Sequence, residues 1–218
     1  MLAAFLLAFP ALFSIVNPLG GAFIFREATA DRTHEERVRL ARRVAVYSTF
    51  VMLVALWGGS YVLAFFGISL AALRVAGGLV LTGFAWELLG APEHRESRKQ
   101  AQASEAGSGA PDDVAFFPLT LPFTTGPGTI AVAVALGAGR PSAGQGLATF
   151  FAGVTLAALA VAASVAVTYS YADRLGALLG RSGSRVVSRL SAFILFCIGV
   201  QVCLTGVTDV LGPLLERR

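Results

Sequence analysis

The sequence predicts an all-α polytopic membrane protein with six transmembrane helices. They form two inverted three-helix repeats, and the first and fourth helices are broken. Three observations carry this expectation. Hydrophobic residues make up 56% of the 218 and charged residues only 14%, with a mean hydropathy of +0.72, a composition suited to lipid rather than to a soluble core. Six mostly apolar runs each reach the length needed to cross a hydrocarbon layer of roughly 30 Å. Two of those runs, at corresponding places in the two halves, are interrupted by proline and glycine beside a polar residue.

The first run, Leu2–Phe25, contains Ser14-Ile15-Val16-Asn17-Pro18-Leu19-Gly20-Gly21. Asn17 followed by Pro18 reads as an N-cap and first helical residue: asparagine accepts orphan N–H bonds, and proline has no N–H to lose. A cleaved leader is not expected, because Met1 to Pro10 has no Lys or Arg and the apolar run is too long. The second and third runs, Val44–Phe66 and Leu70–Gly90, are joined by only Gly67-Ile68-Ser69, so they are expected to be antiparallel neighbours. Ala91 to Asp113 reads as a flexible cytoplasmic linker.

The fourth run, Val114–Gly137, carries the second interruption, Phe123-Thr124-Thr125-Gly126-Pro127-Gly128-Thr129, where Thr125-Gly126-Pro127 can cap a restarting helix as Asn17-Pro18 does. The fifth, Leu147–Tyr171, is alanine-rich between Ala157 and Ala166 and reads as close packing without chemistry. The sixth is Val186–Leu211. The whole chain, 1–218, is one membrane domain, with repeat 1 over 1–90, the linker over 91–113 and repeat 2 over 114–212.

Basic residues set the expected orientation. Arg26, Arg32, Arg37, Arg39, Arg42 and Arg43 lie in the first connection. Arg95, Arg98 and Lys99 lie in the third, and Arg174, Arg181 and Arg185 in the fifth, with Arg189 just beyond. Only Arg74, Arg140, Arg217 and Arg218 fall on the other side. The odd-numbered connections are therefore expected in the cytoplasm and both termini outside. The net charge of +4 is spent on these topology signals and does not point to nucleic acid. Three helices per half is an odd number, so two halves of like fold must be inverted. Phe9-Pro10 before Asn17-Pro18 parallels Phe117-Pro118 before Gly126-Pro127, and Arg74 opens the third run as Arg189 opens the sixth.

The interruptions carry the chemistry. A helix N-terminus exposes unsatisfied N–H groups with roughly half a positive charge, which favours an anion. Carbonyls just before each break can receive an ammonium group or a small cation, so a zwitterion suits the pair. The candidate substrate contacts are Asn17, Pro18, Gly20, Gly21, Thr124, Thr125, Gly126, Pro127, Gly128 and Thr129. The competing structural reading makes Pro18 and Pro127 simple kinks in packed helices. Glu87, Asp209, Arg74 and Arg189 sit near segment ends, where snorkelling is their default. Gln201 lies deeper and reads as a helix–helix hydrogen bond. Thr120, Thr155, Ser164 and Thr168 are expected to bond back to their own helices. Cys197 and Cys203 are six residues apart on different faces of one helix, so no disulfide is expected between them. His34 and His94 have no metal-ligand spacing, and no metal is expected. There is no nucleophile elbow, no intramembrane histidine and no phosphate-binding loop, so the chain is not expected to be an enzyme.

At these motifs the chain resembles the MarC family of six-helix inner-membrane proteins, also called the neutral amino acid transporter family. The resemblance rests on Phe13-Ser14-Ile15-Val16-Asn17-Pro18-Leu19-Gly20, on Leu73-Arg74-Val75-Ala76-Gly77-Gly78, and on Phe117-Pro118-Leu119-Thr120-Leu121-Pro122 running into Gly126-Pro127-Gly128-Thr129-Ile130. Two positions depart from the family pattern: Ala22-Phe23 stands where a proline is usual, and Thr125 where an aliphatic residue or alanine is common. The resemblance implies a bacterial or archaeal plasma-membrane protein that carries small neutral amino acids of the glycine and alanine class. Two alternatives stay open at this level, an exporter or permease for another small solute and a non-transporting membrane partner. The sequence does not specify an H⁺ or Na⁺ coupling ion or the oligomeric state, and it implies no other cofactor.

Overall fold

In a computed structural model, residues 1–65, 67–90, 111–141 and 145–215 are described. Over these residues the chain is helical and contains no strand. Helix α1 runs from Leu2 to Val16 and α2 from Pro18 to Ala28, separated by Asn17 alone. Helix α3 spans His34–Phe65 and α4 spans Leu70–Gly90. A short α5, Pro111–Phe116, leads into a π-helical segment, Leu119–Thr124, and α6 restarts at Pro127 and ends at Ala138. Helix α7 covers Gln145–Ser170 and α8 covers Ala172–Leu215. The linker expected at 91–113 lies outside the described residues up to 110, and its last three residues already belong to α5.

Among the described residues four helices are long and apolar enough to cross a membrane: Leu2–Arg26, His34–Gly59, Gly146–Ser170 and Ala192–Leu211. A fifth span results if Val114–Thr124 and Pro127–Ala138, bent by 67°, count as one. The third expected span, Leu70–Gly90, is helical over the same residues.

The fifth connection corrects an expectation. Residues 172–185 do not form a polar loop but are the first turns of α8. Asp173 lies in the first turn, where a carboxylate favours the helix dipole, and no proline interrupts the stretch. Glycine alone costs about 1 kcal/mol in a helix interior and does not end one. The first connection is likewise mostly helix. Thr33 and Glu36 form a capping box for α3: Thr33 N–H donates to Glu36 Oε2 at 2.9 Å, and Glu36 N–H donates to Thr33 Oγ1 at 3.3 Å.

Side-chain contacts set the relative directions of the helices. Gly78 lies against Cys203, Thr82 against Gly199 and Val75 against Gly206, so α4 and α8 run antiparallel. A Cβ on Gly199 would sit 2.6 Å from the Thr82 backbone nitrogen, so the close approach of the two backbones requires glycine there. Small residues of this kind are what let membrane helices pack without a hydrophobic driving force. Gly153 of α7 touches Ala4 and Phe5 at the start of α1, and Tyr169 near the end of α7 touches Gly21 of α2. The α1–α2 unit and α7 therefore run parallel, with α3 antiparallel to both, since Trp57 Nε1 donates to Thr155 Oγ1 at 3.0 Å.

Polar clamps join the helix ends at the two ends of the molecule. At one end, Arg26 Nε meets Asp173 Oδ1 at 2.7 Å and Arg37 Nη2 meets Asp173 Oδ2 at 3.1 Å. At the other, Arg74 pairs with Asp209, donates from Nε to the Ala138 carbonyl at 3.1 Å and from Nη2 to the Arg140 carbonyl at 2.8 Å. The Arg140 guanidinium in turn lies 3.9 Å from the Tyr61 ring centroid. Between the clamps Leu12, Ile15, Met52, Leu56, Leu81, Leu136 and Leu195 are buried, whereas Leu6, Phe50, Trp57, Trp86, Phe193 and Leu204 face outward. An outward apolar belt of this extent suits lipid.

Candidate functional site

Asn17 closes one helix and opens the next. Its N–H donates to the Phe13 carbonyl at 2.8 Å, completing α1, and its own carbonyl accepts the Gly21 N–H at 2.8 Å, beginning α2. The residue sits in the left-handed region, φ 50° and ψ 66°, which asparagine tolerates better than most side chains. Its side-chain Oδ1 accepts the Gly20 N–H at 3.2 Å, the N-cap geometry expected from the sequence. A Cβ at Gly20 would collide with the Asn17 carboxamide, so the cap and the glycine require each other.

The second interruption is built differently. Gly126, extended at φ −76° and ψ −178°, precedes Pro127 as the N-cap of α6, and no side chain caps that end. Thr125 does not perform the capping expected of it. Its hydroxyl donates backwards to the Thr120 carbonyl at 3.2 Å, as Thr120 does to Ala115 at 2.7 Å and Thr124 to Leu119 at 2.7 Å. All three bonds reach five residues back, the spacing of the π-helical turn. The physical reason is the chain break itself: Pro118 and Pro122 remove N–H donors, Leu121 is extended at φ −111° and ψ 125°, and hydroxyls supply donors that the backbone lacks. A Cβ on Gly126 would lie 2.5 Å from the Pro122 carbonyl oxygen, so glycine is required at this restart.

Tyr169 of α7 joins the two interruptions. It is 2% exposed, stacks on Phe25 of α2 at 4.6 Å between ring centroids, and lies 6.3 Å from Phe123. Its hydroxyl is 3.2 Å from Thr124 Oγ1. Thr124 has already given its only hydroxyl hydrogen to Leu119, so Tyr169 is the donor of this bond. The same hydroxyl occupies the place a side chain on Gly21 would take, 2.5 Å from a Cβ built there. Gly21 of the first motif and Thr124 of the second thus both lie against the hydroxyl end of one side chain.

Burial of the candidate residues follows this arrangement. Pro18, Gly20, Gly21, Thr124, Thr125 and Thr129 are buried, Asn17, Gly126 and Gly128 are intermediate, and Pro127 is exposed. On α3, which packs against the π-helical segment and α6, Ser48 Oγ is fully buried and has no hydrogen-bond partner among the described residues. An apolar cavity of about 670 Å³ lies elsewhere, among Trp57, Phe151, Thr155 and Leu159, and includes none of the ten candidate residues.

Sequence reasoning passed over Tyr169 by treating the fifth run as packing alone. The available signal was a tyrosine near the end of an otherwise aliphatic and alanine-rich segment, since a buried phenol needs a partner. Arg74 and Asp209, each expected to snorkel, pair with each other. Ser164 and Thr168 bond back to their own helix, Thr120 reaches back to Ala115 of α5, and Thr155 accepts from Trp57. Gln201, expected between helices, is exposed on α8. Among the described residues no group of three or more His, Cys, Asp or Glu is placed to hold a metal ion.

Several apolar helices, a broken and bent helix pair, and hydroxyls that satisfy carbonyls inside the break define a multi-pass integral membrane protein with irregular backbone held in its interior. The family model described as MarC family integral membrane protein matches residues 2–211, and the chain belongs to that family. It is 34% identical over 199 residues to the UPF0056 membrane protein YvbG of Bacillus subtilis, covering 91% of each chain. To the UPF0056 membrane protein MJ1677 of Methanocaldococcus jannaschii it is 31% identical, over 95% of this chain and 97% of the relative. The UPF0056 inner membrane protein MarC of Salmonella typhimurium is 30% identical over 92% of each. No solved structure matches the chain.

Proposed function

We propose that the chain is a secondary transporter of small neutral amino acids, of the glycine and alanine class, with no enzymatic activity. The observation that carries this reading is the meeting of both helix breaks on Tyr169. The α6 N-terminus is the seat for the substrate carboxylate. Gly126 offers no side-chain cap there, and Pro127, Gly128 and Thr129 form the first turn, whose N–H groups and dipole favour an anion. At α2 the corresponding seat is filled by the Asn17 carboxamide, so the two ends are not equivalent. The ammonium group would be met by carbonyls closing α1 and by the Tyr169 oxygen, whose lone pairs are not used by the bond it donates. Tyr169 fills the space between the breaks, so the arrangement described is a closed one, and binding requires the ring to move away from Gly21.

The reading includes six passes as two inverted three-helix repeats, 1–90 and 114–212, with both termini outside. It is supported by the alternating helix directions and by the separation of the two clamps. Asp173 holds Arg26 and Arg37 at the arginine-rich end, and Arg74 holds Asp209 and the end of α6 at the other. A topology reporter fused to either terminus should read extracytoplasmic; a cytoplasmic signal from either one would overturn the orientation.

Purified protein in liposomes should take up labelled alanine or glycine. Asn17→Ala and Gly126→Ala variants that retain wild-type elution and helix content should lose most of it, on the order of tenfold. A thermal-shift panel of small anions separates an amino acid carrier from a permease for another solute. Absence of both uptake and binding for every amino acid tested would sink the proposal.

A further inference from the structure

Helix α8 presents two faces. Ala192, Leu195, Gly199, Val202 and Gly206 recur every three or four residues and are buried against the rest of the chain. The opposite face, including Phe193, Cys197, Leu204 and Thr208, is exposed. Only 22% of the Ala192–Leu211 span is buried within the chain, less than for the other three single spans found among the described residues. Gln201 belongs to the exposed face and is the tenth residue of that 20-residue span, about 14 Å from either end along the helix axis. Its side chain is too short to reach an interface from there.

The other polar groups on this stretch are satisfied inside the chain. Thr205 Oγ1 donates to the Gln201 carbonyl at 2.9 Å, Thr208 Oγ1 donates to Thr205 at 2.8 Å, and Asp209 is held by Arg74. No hydrogen bond is formed by the Gln201 amide group among the described residues. In hydrocarbon an amide without a partner is costly, and lipid tails offer neither donor nor acceptor. A primary amide has a carbonyl acceptor and an N–H₂ donor, so it is complementary to a second copy of itself. Two-fold symmetry brings the same residue from both sides of an isologous contact. Gln201 lies on one exposed stripe with Leu190, Ile194, Cys197, Leu204, Thr208 and Leu211, spaced alternately by four and three, the seam spacing of packed helices.

We propose that the chain forms a symmetric dimer through the outer face of α8, with Gln201 of one protomer paired to Gln201 of the other at mid-membrane. The face is distinct from the helix breaks, so the proposal does not rest on the transport reading.

The test uses full-length protein in liposomes at decreasing protein-to-lipid ratio. Cys197 lies on the proposed seam and Cys203 lies against Gly78 on the inner side, so a short bismaleimide reports the geometry. A Cys203→Ser variant should crosslink to a dimer and a Cys197→Ser variant should not. Gln201→Leu should weaken dimerisation by roughly tenfold in a dilution-dependent energy-transfer measurement, whereas Gln201→Asn, which keeps the amide, should retain most of it. Because Gln201 points away from the core, the leucine variant should keep wild-type thermal stability. A monomer at every dilution overturns the proposal. So does a dimer that fails to crosslink at Cys197, that is unaffected by Gln201→Leu, or that assembles only with lipid or another protein.

Discussion

Arg74→Ala is expected to destabilise the protein by about 3 kcal/mol and to abolish transport, because one guanidinium serves three partners, one on α8 and two at the end of α6. It holds Asp209 on α8, the Ala138 carbonyl at the end of α6 and the Arg140 carbonyl just beyond. The Arg74 side chain is only 14% exposed, so its loss leaves two carbonyls without their donor in a poorly hydrated place. Asp209 is 36% exposed and recovers part of its solvation, which keeps the estimate at about 3 kcal/mol, below that for a fully buried pair. Arg74→Lys should recover little, since a lysine is a point charge and cannot reproduce the planar fork. Asp209→Asn should cost less, about 1 kcal/mol, because the carbonyl bonds survive. Denaturation by SDS in mixed micelles measures all three. An Arg74→Ala variant within about 0.5 kcal/mol of wild type would mean that the clamp is a surface pair of little weight.

Gly21→Ala is the second large effect, about 2–3 kcal/mol. The new methyl would lie 2.5 Å from the Tyr169 hydroxyl and 3.2 Å from ring carbons Cε1 and Cζ. Tyr169 cannot simply withdraw, because Phe25 is stacked on it and its hydroxyl is bonded to Thr124. The cost is therefore overpacking together with a lost buried hydrogen bond. Tyr169→Phe removes the atom in closest conflict, so Gly21→Ala with Tyr169→Phe should be less destabilised than Gly21→Ala alone. A coupling of about 1 kcal/mol between the two sites is expected from contacting residues. Additive effects in that double-mutant cycle would show that Gly21 and Tyr169 do not meet. Uptake gives a second readout: if the ring must move for substrate to enter, Tyr169→Phe should change the transport rate more than it changes stability.

Much of the fold was legible because hydropathy and helix punctuation are local. Asn17-Pro18 announced a cap, and the cap is present down to the Oδ1 that receives Gly20. The break at Gly126-Pro127 was legible for the same reason. Its chemistry was not, because the five-residue back-bonds of Thr120, Thr124 and Thr125 depend on a π-helical geometry that no spacing rule for ordinary helices contains. The capping box of Thr33 and Glu36 stood in the sequence and marks the start of α3 ten residues before the apolar run begins at Val44. The length of α8 was hidden by its arginines, which read as a loop when only hydropathy is weighed.

By itself the sequence determined that this chain enters a membrane, where its apolar segments lie, and that two of them are interrupted. Those properties follow from transfer free energies and backbone preferences that act over a few residues. Only the tertiary structure decided what the interruptions face. Tyr169 stands 148 positions from Gly21 and 45 from Thr124, and nothing in the local pattern of α7 says that its hydroxyl meets both. The pairing of Arg74 with Asp209, 135 residues apart, is of the same kind. Contacts between distant segments depend on how whole helices pack, and that packing is set by small residues such as Gly78 and Gly199, whose effect appears only when another backbone arrives against them.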